Sequence, residues 1–171
     1  RFEAAEETLN AILKRAPGHP LAEERLGFAQ AHLGKPEQAM ELVRRAVKNN
    51  AGRPEALVKL AWLLTKAGRT EEAVAYYEQA VKARPNLMAA WFLLGDALAE
   101  LGKLEEAVAH YQRCLEIEPS YTRAYVAIGH TLLRLNKRDE ALRFWRHGLK
   151  AAARPGPIAQ ALDELSAKSA K

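Results

Sequence analysis

A pattern that repeats every 34 residues constrains this chain more than any other feature of its sequence. Gly34, Gly68 and Gly102 lie one period apart, and the next period falls on Asn136. Glycine and asparagine are the residues that most readily adopt the left-handed backbone conformation that ends a helix. One such break predicts a helical hairpin, whereas four breaks at a single period predict an array of hairpins.

Three further columns of residues follow the same period. An alanine stands five residues after each break, a small residue stands seven residues before it, and a bulky residue stands nine residues after it. These columns are Ala39, Ala73, Ala107 and Ala141; Gly27, Ala61, Gly95 and Gly129; and Val43, Tyr77, Tyr111 and Trp145. Small side chains at Gly95 and Ala107 predict a close approach of the two helix backbones within a hairpin.

The segment around Gly102 shows how one period is built. Apolar residues at helical spacing precede the glycine, and a second apolar stripe follows it as far as Pro119, so two helices are predicted. Glu105 and Glu106 stand near the predicted start of the second helix, where the helix dipole favours negative charge. Because neighbouring residues on a helix point in different directions, this pair is interpreted as a helix start and not as paired catalytic carboxylates.

The order Trp91-x2-Leu94-Gly95-x2-Leu98, followed by Ala107-x3-Tyr111 and Pro119, resembles the signature of the tetratricopeptide repeat. Four full repeats are predicted, at residues 20–53, 54–87, 88–121 and 122–155.

The two ends of the chain complete this organisation into one continuous domain. Residues 1–19 carry apolar side chains on second-helix columns, so we expect the second helix of a preceding repeat that lacks its first helix. Residues 156–171 are expected to form a C-terminal capping helix and tail, with Ile158, Leu162 and Leu165 on the face that covers the last unit.

The resemblance implies an all-α fold, a right-handed superhelical solenoid of antiparallel helix pairs whose first helices line a concave groove. It also implies a protein-interaction scaffold that binds a peptide or a partner helix in that groove. No cofactor and no enzymatic activity are expected, because the sequence has no phosphate-binding loop, nucleophile motif or paired metal ligands. The histidines are scattered among different units, so no metal site is predicted.

Family geometry places five positions of each first helix in the groove. In the first repeat these positions are Leu21, Glu24, Phe28, Ala31 and His32. The predicted partner-binding site takes its residues from such positions in all four repeats. It comprises Phe28, Val58, Trp62, Phe92, Asp96, Arg123, Val126, His130 and Arg134.

The predicted site has an apolar floor and a basic end. Phe28, Trp62 and Phe92 lie outside the packing columns of the repeat, so exposed aromatic anchors are expected there. The alternative is that they pack between adjacent first helices, which carries most weight for Phe92. A clamp for the C-terminal carboxylate of chaperones is disfavoured, because only Arg123 matches its basic and asparagine positions.

Charge is distributed unevenly along the chain. Residues 1–119 hold 16 basic and 17 acidic side chains, whereas residues 120–171 hold 10 basic and 4 acidic ones, which gives the overall net charge of +5. Nucleic-acid binding is disfavoured because the aromatic residues are not interleaved with this basic region. A solvated face, or a dock for acidic residues of a protein partner, fits the pattern better.

Several alternatives stay open at the level of sequence. The chain could be the substrate-recruiting accessory part of a larger transferase or hydroxylase, or a self-assembly module that uses apolar surface around Phe2, Leu9 and Ile12. No apolar run is long enough for membrane insertion, and the N-terminal residues do not resemble a signal peptide. The single cysteine, Cys114, allows no internal disulfide and slightly favours a cytoplasmic location.

Overall fold

The computed structural model describes residues 1–49 and 53–169, and these residues form ten helices and no strand. The helices are α1 (Phe2–Arg15), α2 (Pro20–His32), α3 (Pro36–Asn49), α4 (Pro54–Lys66), α5 (Thr70–Ala83), α6 (Met88–Glu100), α7 (Leu104–Ile117), α8 (Thr122–Arg134), α9 (Arg138–Ala151) and α10 (Gly156–Ser169). The all-α prediction is confirmed. Residues 88–118 are not one continuous helix, because α6 and α7 are separated at Gly102.

The sequence period reappears in the positions where helices begin. The first helices of the four repeats begin 34 residues apart; they are α2, α4, α6 and α8. The second helices begin 34 residues apart as well; they are α3, α5, α7 and α9. Proline occupies the first position of α2, α3 and α4. Its fixed φ suits that position, where its missing N–H would have no helical partner.

Each corner between first and second helix has the same geometry. Gly34, Gly68 and Gly102 have φ of 75°, 74° and 80°, and Asn136 has φ of 59°. The residue after each break donates its N–H to a carbonyl five residues back, as in Lys103 to Leu98 at 2.9 Å. This bond is part of the Schellman motif, which satisfies a carbonyl that the ending helix leaves unpaired. The predicted role of the four breaks is confirmed.

The glutamate pair predicted to mark a helix start lies in a first helical turn, and a second such pair occurs in the preceding repeat. Glu71 and Glu72 are in the first turn of α5, and Glu105 and Glu106 are in the first turn of α7. Arg69, just before α5, donates two hydrogen bonds to Glu72, at 2.5 and 2.7 Å. These carboxylates therefore stabilise helix starts.

The small-residue column lies against the bulky-residue column. A Cβ added to Gly95 would lie 2.6 Å from the ring of Tyr111, so this glycine makes room for that ring. The same holds at Gly129, where a Cβ would lie 1.9 Å from Nε1 of Trp145. A Cβ added to Gly27 would lie 2.6 Å from the Val43 side chain and 2.8 Å from the Ala39 carbonyl oxygen. The small and bulky columns are therefore packing partners.

The helices gather into two compact units, each larger than a single repeat. The first unit contains Arg1–Ala90, and the second unit begins at Trp91. In the first unit α2 packs on α1 and α3, and α4 packs on α3 and α5. Their buried residues include Met40, Leu60 and Leu64. In the second unit α8 packs on α7 and α9.

The last helix closes the core of the second unit, as the capping prediction proposed. Helix α10 packs on α8 and α9, and its Ile158 is fully buried beside Trp145 and Tyr125. Ala161 and Leu165 are also buried, whereas Leu162 is only half-buried at the margin. Within the described residues, no helix combines the length and the apolar character that crossing a membrane requires.

Candidate functional site

Four rings gather on the first unit, and two of them belong to the predicted site. The Phe28 and Trp62 rings lie 5.9 Å apart between centroids, so α2 and α4 bring them side by side. His32 contacts both, at 4.6 Å from Phe28 and 5.9 Å from Trp62. The Phe2 ring stacks on His32 at 4.4 Å with an angle of 6° between the planes. We call Phe2, Phe28, His32 and Trp62 the ring cluster.

The ring cluster is accessible and bordered by cations. Phe2 and Phe28 expose 39% and 36% of their surface, and Trp62 is half-buried. Lys59 Nζ lies 5.7 Å from the centroid of the Phe28 ring, and Lys66 Nζ lies 5.8 Å from that of Trp62. Cations at this distance are attracted to the face of an aromatic ring.

A cavity of about 490 Å³ adjoins the ring cluster between α1, α2 and α4. Its apolar lining includes Phe2, Leu9 and Phe28, and Arg25 and Lys59 supply its positive charge. It therefore combines a surface for an apolar side chain with two cations that suit a carboxylate.

A buried carboxylate that the sequence did not identify fixes one of these cations. Glu24 was expected to face the groove, but it is buried, with 2% of its surface exposed. It accepts a hydrogen bond from Lys59 Nζ at 2.5 Å, and Arg53 lies 3.7 Å away. A buried carboxylate needs such partners. Glu24 therefore positions Lys59 beside Phe28 and is not itself available to a ligand.

Four residues of the predicted site meet in the second unit. They line a cavity of about 460 Å³, which we call the arginine pocket. Its lining residues are Phe92, Asp96, Thr122, Arg123, Val126, Ala127, Arg154 and Pro157. Helices α6 and α8 form two walls, and the segment that leads into α10 forms the third. Arg154 is held there by its backbone N–H, which donates to Thr122 Oγ1 at 3.1 Å.

Phe92 does not match the prediction of an exposed aromatic anchor. Only 5% of its surface is exposed, because its ring packs on Tyr111 and Tyr121 at centroid distances of 5.4 and 5.5 Å. The Arg123 guanidinium carbon lies 4.5 Å from the centroid of the same ring. Phe92 is thus part of the packing around Tyr111 and Tyr121, with Arg123 on its ring, and it is not an exposed anchor.

Asp96 places a carboxylate at the edge of the arginine pocket. Its Oδ1 accepts a hydrogen bond from the Tyr111 hydroxyl at 2.7 Å. Although the residue as a whole is exposed, desolvation of the carboxyl raises the pKa of Asp96 above its ordinary value, and the Tyr111 bond and the Arg123 charge oppose that rise. Burial and the neighbouring Asp96 raise the pKa of Tyr111, so its hydroxyl remains a donor.

The other predicted site residues lie outside the cavities described above. Val58 on α4 is half-buried, and His130 and Arg134 on α8 are exposed. The His130 ring contacts the edge of Trp145 at 5.1 Å. Of the predicted site residues, two therefore belong to the ring cluster, four line the arginine pocket and three belong to neither.

Sequence reasoning missed the residues that come from outside the first helices. Arg154 and Pro157 reach the arginine pocket because the chain turns back into α10, and the 34-residue period contains no information about that turn. His32 was placed in the groove but not in the site, although its position beside Phe28 on α2 was a usable signal.

Metal-ligand geometry and the state of the cysteine were two further features predicted from sequence. No group of three or more histidine, cysteine, aspartate or glutamate side chains is arranged to hold a metal ion among them. Burial raises the pKa of the Cys114 thiol to about 12, so its reactive thiolate is scarce at neutral pH.

Comparison with known protein families identifies the repeat. Two family models described as "Tetratricopeptide repeat" match the sequence, one at residues 58–122 and the other at residues 1–63 and 98–165. No curated protein sequence gives a significant match.

Solved structures of similar shape carry the same fold. A crystal structure of MamA matches with a TM-score of 0.80 at 23% identity, covering 88% of each chain. MamA 41-end from Desulfovibrio magneticus RS-1 matches with a TM-score of 0.80 at 21% identity, covering 88% of this chain and 85% of that one. YrrB, described as "a TPR protein with an unusual peptide-binding site", matches with a TM-score of 0.78 at 20% identity, covering 95% and 84%. At these identities the likeness establishes the fold, a helical solenoid.

Proposed function

Since the chain belongs to the tetratricopeptide repeat family, we propose that it is a non-catalytic protein-interaction module that binds a peptide or partner helix carrying both apolar side chains and carboxylates. Membership of a family of interaction scaffolds supports the general class. The ligand chemistry is our inference from the ring cluster and the arginine pocket.

The observation that carries the proposal is the composition of the arginine pocket. Arg123 is held over the buried face of Phe92, and Arg154 lines the same cavity. A guanidinium already ordered by stacking loses less entropy when it binds a carboxylate than a freely moving one does. Val126 and Pro157 offer apolar surface beside it. An acidic residue next to an aliphatic one fits this pocket.

The ring cluster suits the apolar part of the same class of ligand. Exposed aromatic side chains in contact with one another offer a large apolar area, which is typical of residues that contribute most to binding. Lys59 and Lys66 border these rings, so a ligand with carboxylates next to its apolar anchor is favoured there as well.

A random peptide library displayed on bacteriophage and selected on the purified chain tests the proposal. We expect the selected peptides to combine apolar and acidic residues. Trp62→Ala should weaken their binding by roughly 2 kcal/mol, as loss of an aromatic anchor does, and its circular-dichroism melting curve should stay close to wild type. A large loss of stability would instead mean that Trp62 holds helices together.

Charge reversal in the arginine pocket gives the second readout of the same experiment. Arg123→Glu should slow association of the selected peptides, and more so at low salt, because charged groups chiefly affect the rate of encounter. Lys150→Glu is the matched control, since Lys150 is exposed on α9 and lines neither the pocket nor the ring cluster. Equal effects of the two reversals would contradict a role for the arginine pocket and indicate a general effect of net charge.

A further inference from the structure

A second groove lies on the second unit, formed by the second helices α7 and α9. One cavity of about 490 Å³ and another of about 350 Å³ share Gln112, Phe144 and His147, so they adjoin. Along α7 the lining runs from Glu105 to Glu116, which is about 16 Å of helix. We call this surface the α7–α9 groove. Sequence analysis did not predict it, and none of its lining residues belongs to the predicted site.

The groove has an apolar base and helical walls. Helix α8 and the turn after it supply the base, and one face of α7 and one face of α9 supply the walls. Its accessible apolar surface comes from side chains that are half-buried, and further apolar side chains of α8 lie buried beneath them. The half-buried ones are Val108, Leu115, Leu135 and Phe144, and the buried ones are Tyr125, Ile128 and Leu132. A groove of this length between two helices matches about three turns of a third helix that lays an apolar stripe into it.

The charges around the groove are unequal on its two sides. Lys137, Arg143 and His147 lie along the α9 side, where Glu140 is the acidic lining residue. On the α7 side Glu116 is paired with Arg113, and Glu105 lies at the other end.

The basic side of the groove continues into the most basic part of the chain. Arg146 and Lys150 are exposed on α9 beyond the groove, within residues 120–171, where the arginine pocket uses only Arg123 and Arg154 of the ten basic side chains. A ligand that complements this distribution carries its carboxylates along the edge that faces α9.

We propose that the α7–α9 groove binds an amphipathic helix of a protein partner, with its apolar stripe on the half-buried apolar side chains of the groove and acidic side chains along α9. A protein fits better than a nucleic acid, because a phosphate backbone would leave the apolar base of the groove unfilled. This surface is separate from the arginine pocket, so the proposal stands independently of the function proposed above.

Two synthetic helical peptides of about three turns provide the probe. Both carry the same leucine stripe, and the residues flanking the stripe are glutamate in one peptide and lysine in the other. Binding is followed by methyl NMR of the leucines and valines and quantified by titration. We expect the glutamate peptide to shift the Val108 and Leu135 methyl signals and to bind at least about tenfold more tightly than the lysine peptide.

Two variants place the interaction in the groove. Gln112→Glu keeps the shape of an exposed side chain at the point where the two cavities meet, and it should weaken the glutamate peptide by about tenfold. Arg143→Glu should weaken the glutamate peptide and strengthen the lysine peptide, a reversal that a misfolded variant cannot produce. Lys82→Glu is the control of equal charge outside the groove, since Lys82 is exposed on α5 and lines neither cavity, and Arg123→Glu is the control in the arginine pocket. Both should leave the tenfold preference in place.

Six outcomes would overturn the proposal, and the first four concern the peptides. They are no measurable binding of the glutamate peptide, equal binding of both peptides, methyl shifts confined to Val126 in the arginine pocket, and unchanged affinity in Gln112→Glu and Arg143→Glu. A single-stranded oligonucleotide is titrated in parallel. If it displaces the glutamate peptide and Arg143→Glu abolishes its binding, the groove is a nucleic-acid surface instead. Loss of binding in Arg123→Glu alone would leave the function proposed above standing and refute this one.

Discussion

At the scale of single residues, Asp96 is held in a position that is unfavourable for its charge. Desolvation raises its pKa, and the hydrogen bond from Tyr111 and the charge of Arg123 only partly compensate. A carboxyl group whose pKa is higher in the folded than in the unfolded chain destabilises the fold once it is ionised. Residues that are unfavourable for stability are often found at functional sites, which fits a place beside the arginine pocket.

This position leads to a prediction about pH. Asp96→Asn keeps an acceptor for the Tyr111 hydroxyl and removes the charge, so it should melt at a higher temperature than wild type at pH 7. Below the ordinary aspartate pKa of 3.8 the wild-type carboxyl is protonated in both folded and unfolded chains, so the difference should vanish there. Between these limits it should grow as pH rises through the raised folded pKa. Melting curves across this range measure it, and a variant less stable than wild type at pH 7 would contradict the assignment.

At the scale of the helical hairpin, the break at Gly102 tests how the period controls the fold. A Cβ at Gly102 would meet no atom within 4 Å, so a substitution there changes only the preference of the backbone for its φ of 80°. Gly102→Val should destabilise by roughly 1 kcal/mol or more, because a β-branched residue resists positive φ.

The chain supplies the matched control for this substitution. Asn136 adopts φ of 59° at the corresponding corner, so Gly102→Asn should cost clearly less than Gly102→Val. Denaturant unfolding followed by circular dichroism measures both. Equal losses for asparagine and valine would mean that something other than backbone conformation makes glycine necessary at this corner.

The hairpins also show what could be predicted from sequence and what could not. Helix breaks follow from the preferences of glycine and asparagine for a local conformation, so Gly34 and Asn136 identify their corners without tertiary information. The burial of Phe92 depends on Tyr111 and Tyr121, which approach it only in the folded chain. The position of Arg154 depends in the same way on how the chain returns to α8, and no periodic pattern contains that path.

At the scale of the whole molecule, a destabilising substitution in a repeat array should affect mainly the helices around it, because each repeat contacts chiefly its neighbours. Gly129 provides a suitable lesion: an added Cβ would collide with the buried Trp145 indole, whose Nε1 donates to the Tyr125 carbonyl oxygen at 3.0 Å. Gly129→Ala should therefore displace a side chain at the centre of the core that α8, α9 and α10 share. We expect a loss of about 1–3 kcal/mol, as overpacking of a core typically causes.

Hydrogen exchange measured along the chain can distinguish a local from a global effect of Gly129→Ala. Amide protons of α8, α9 and α10 should exchange faster than in wild type, while those of α2 and α3 in the first unit should keep their protection. Gly156→Ala is the control, because a Cβ there meets no atom within 4 Å, and it should leave exchange unchanged throughout. Acceleration to the same extent in every described helix would show that the array unfolds as one cooperative body, and stability could then not be assigned to individual repeats.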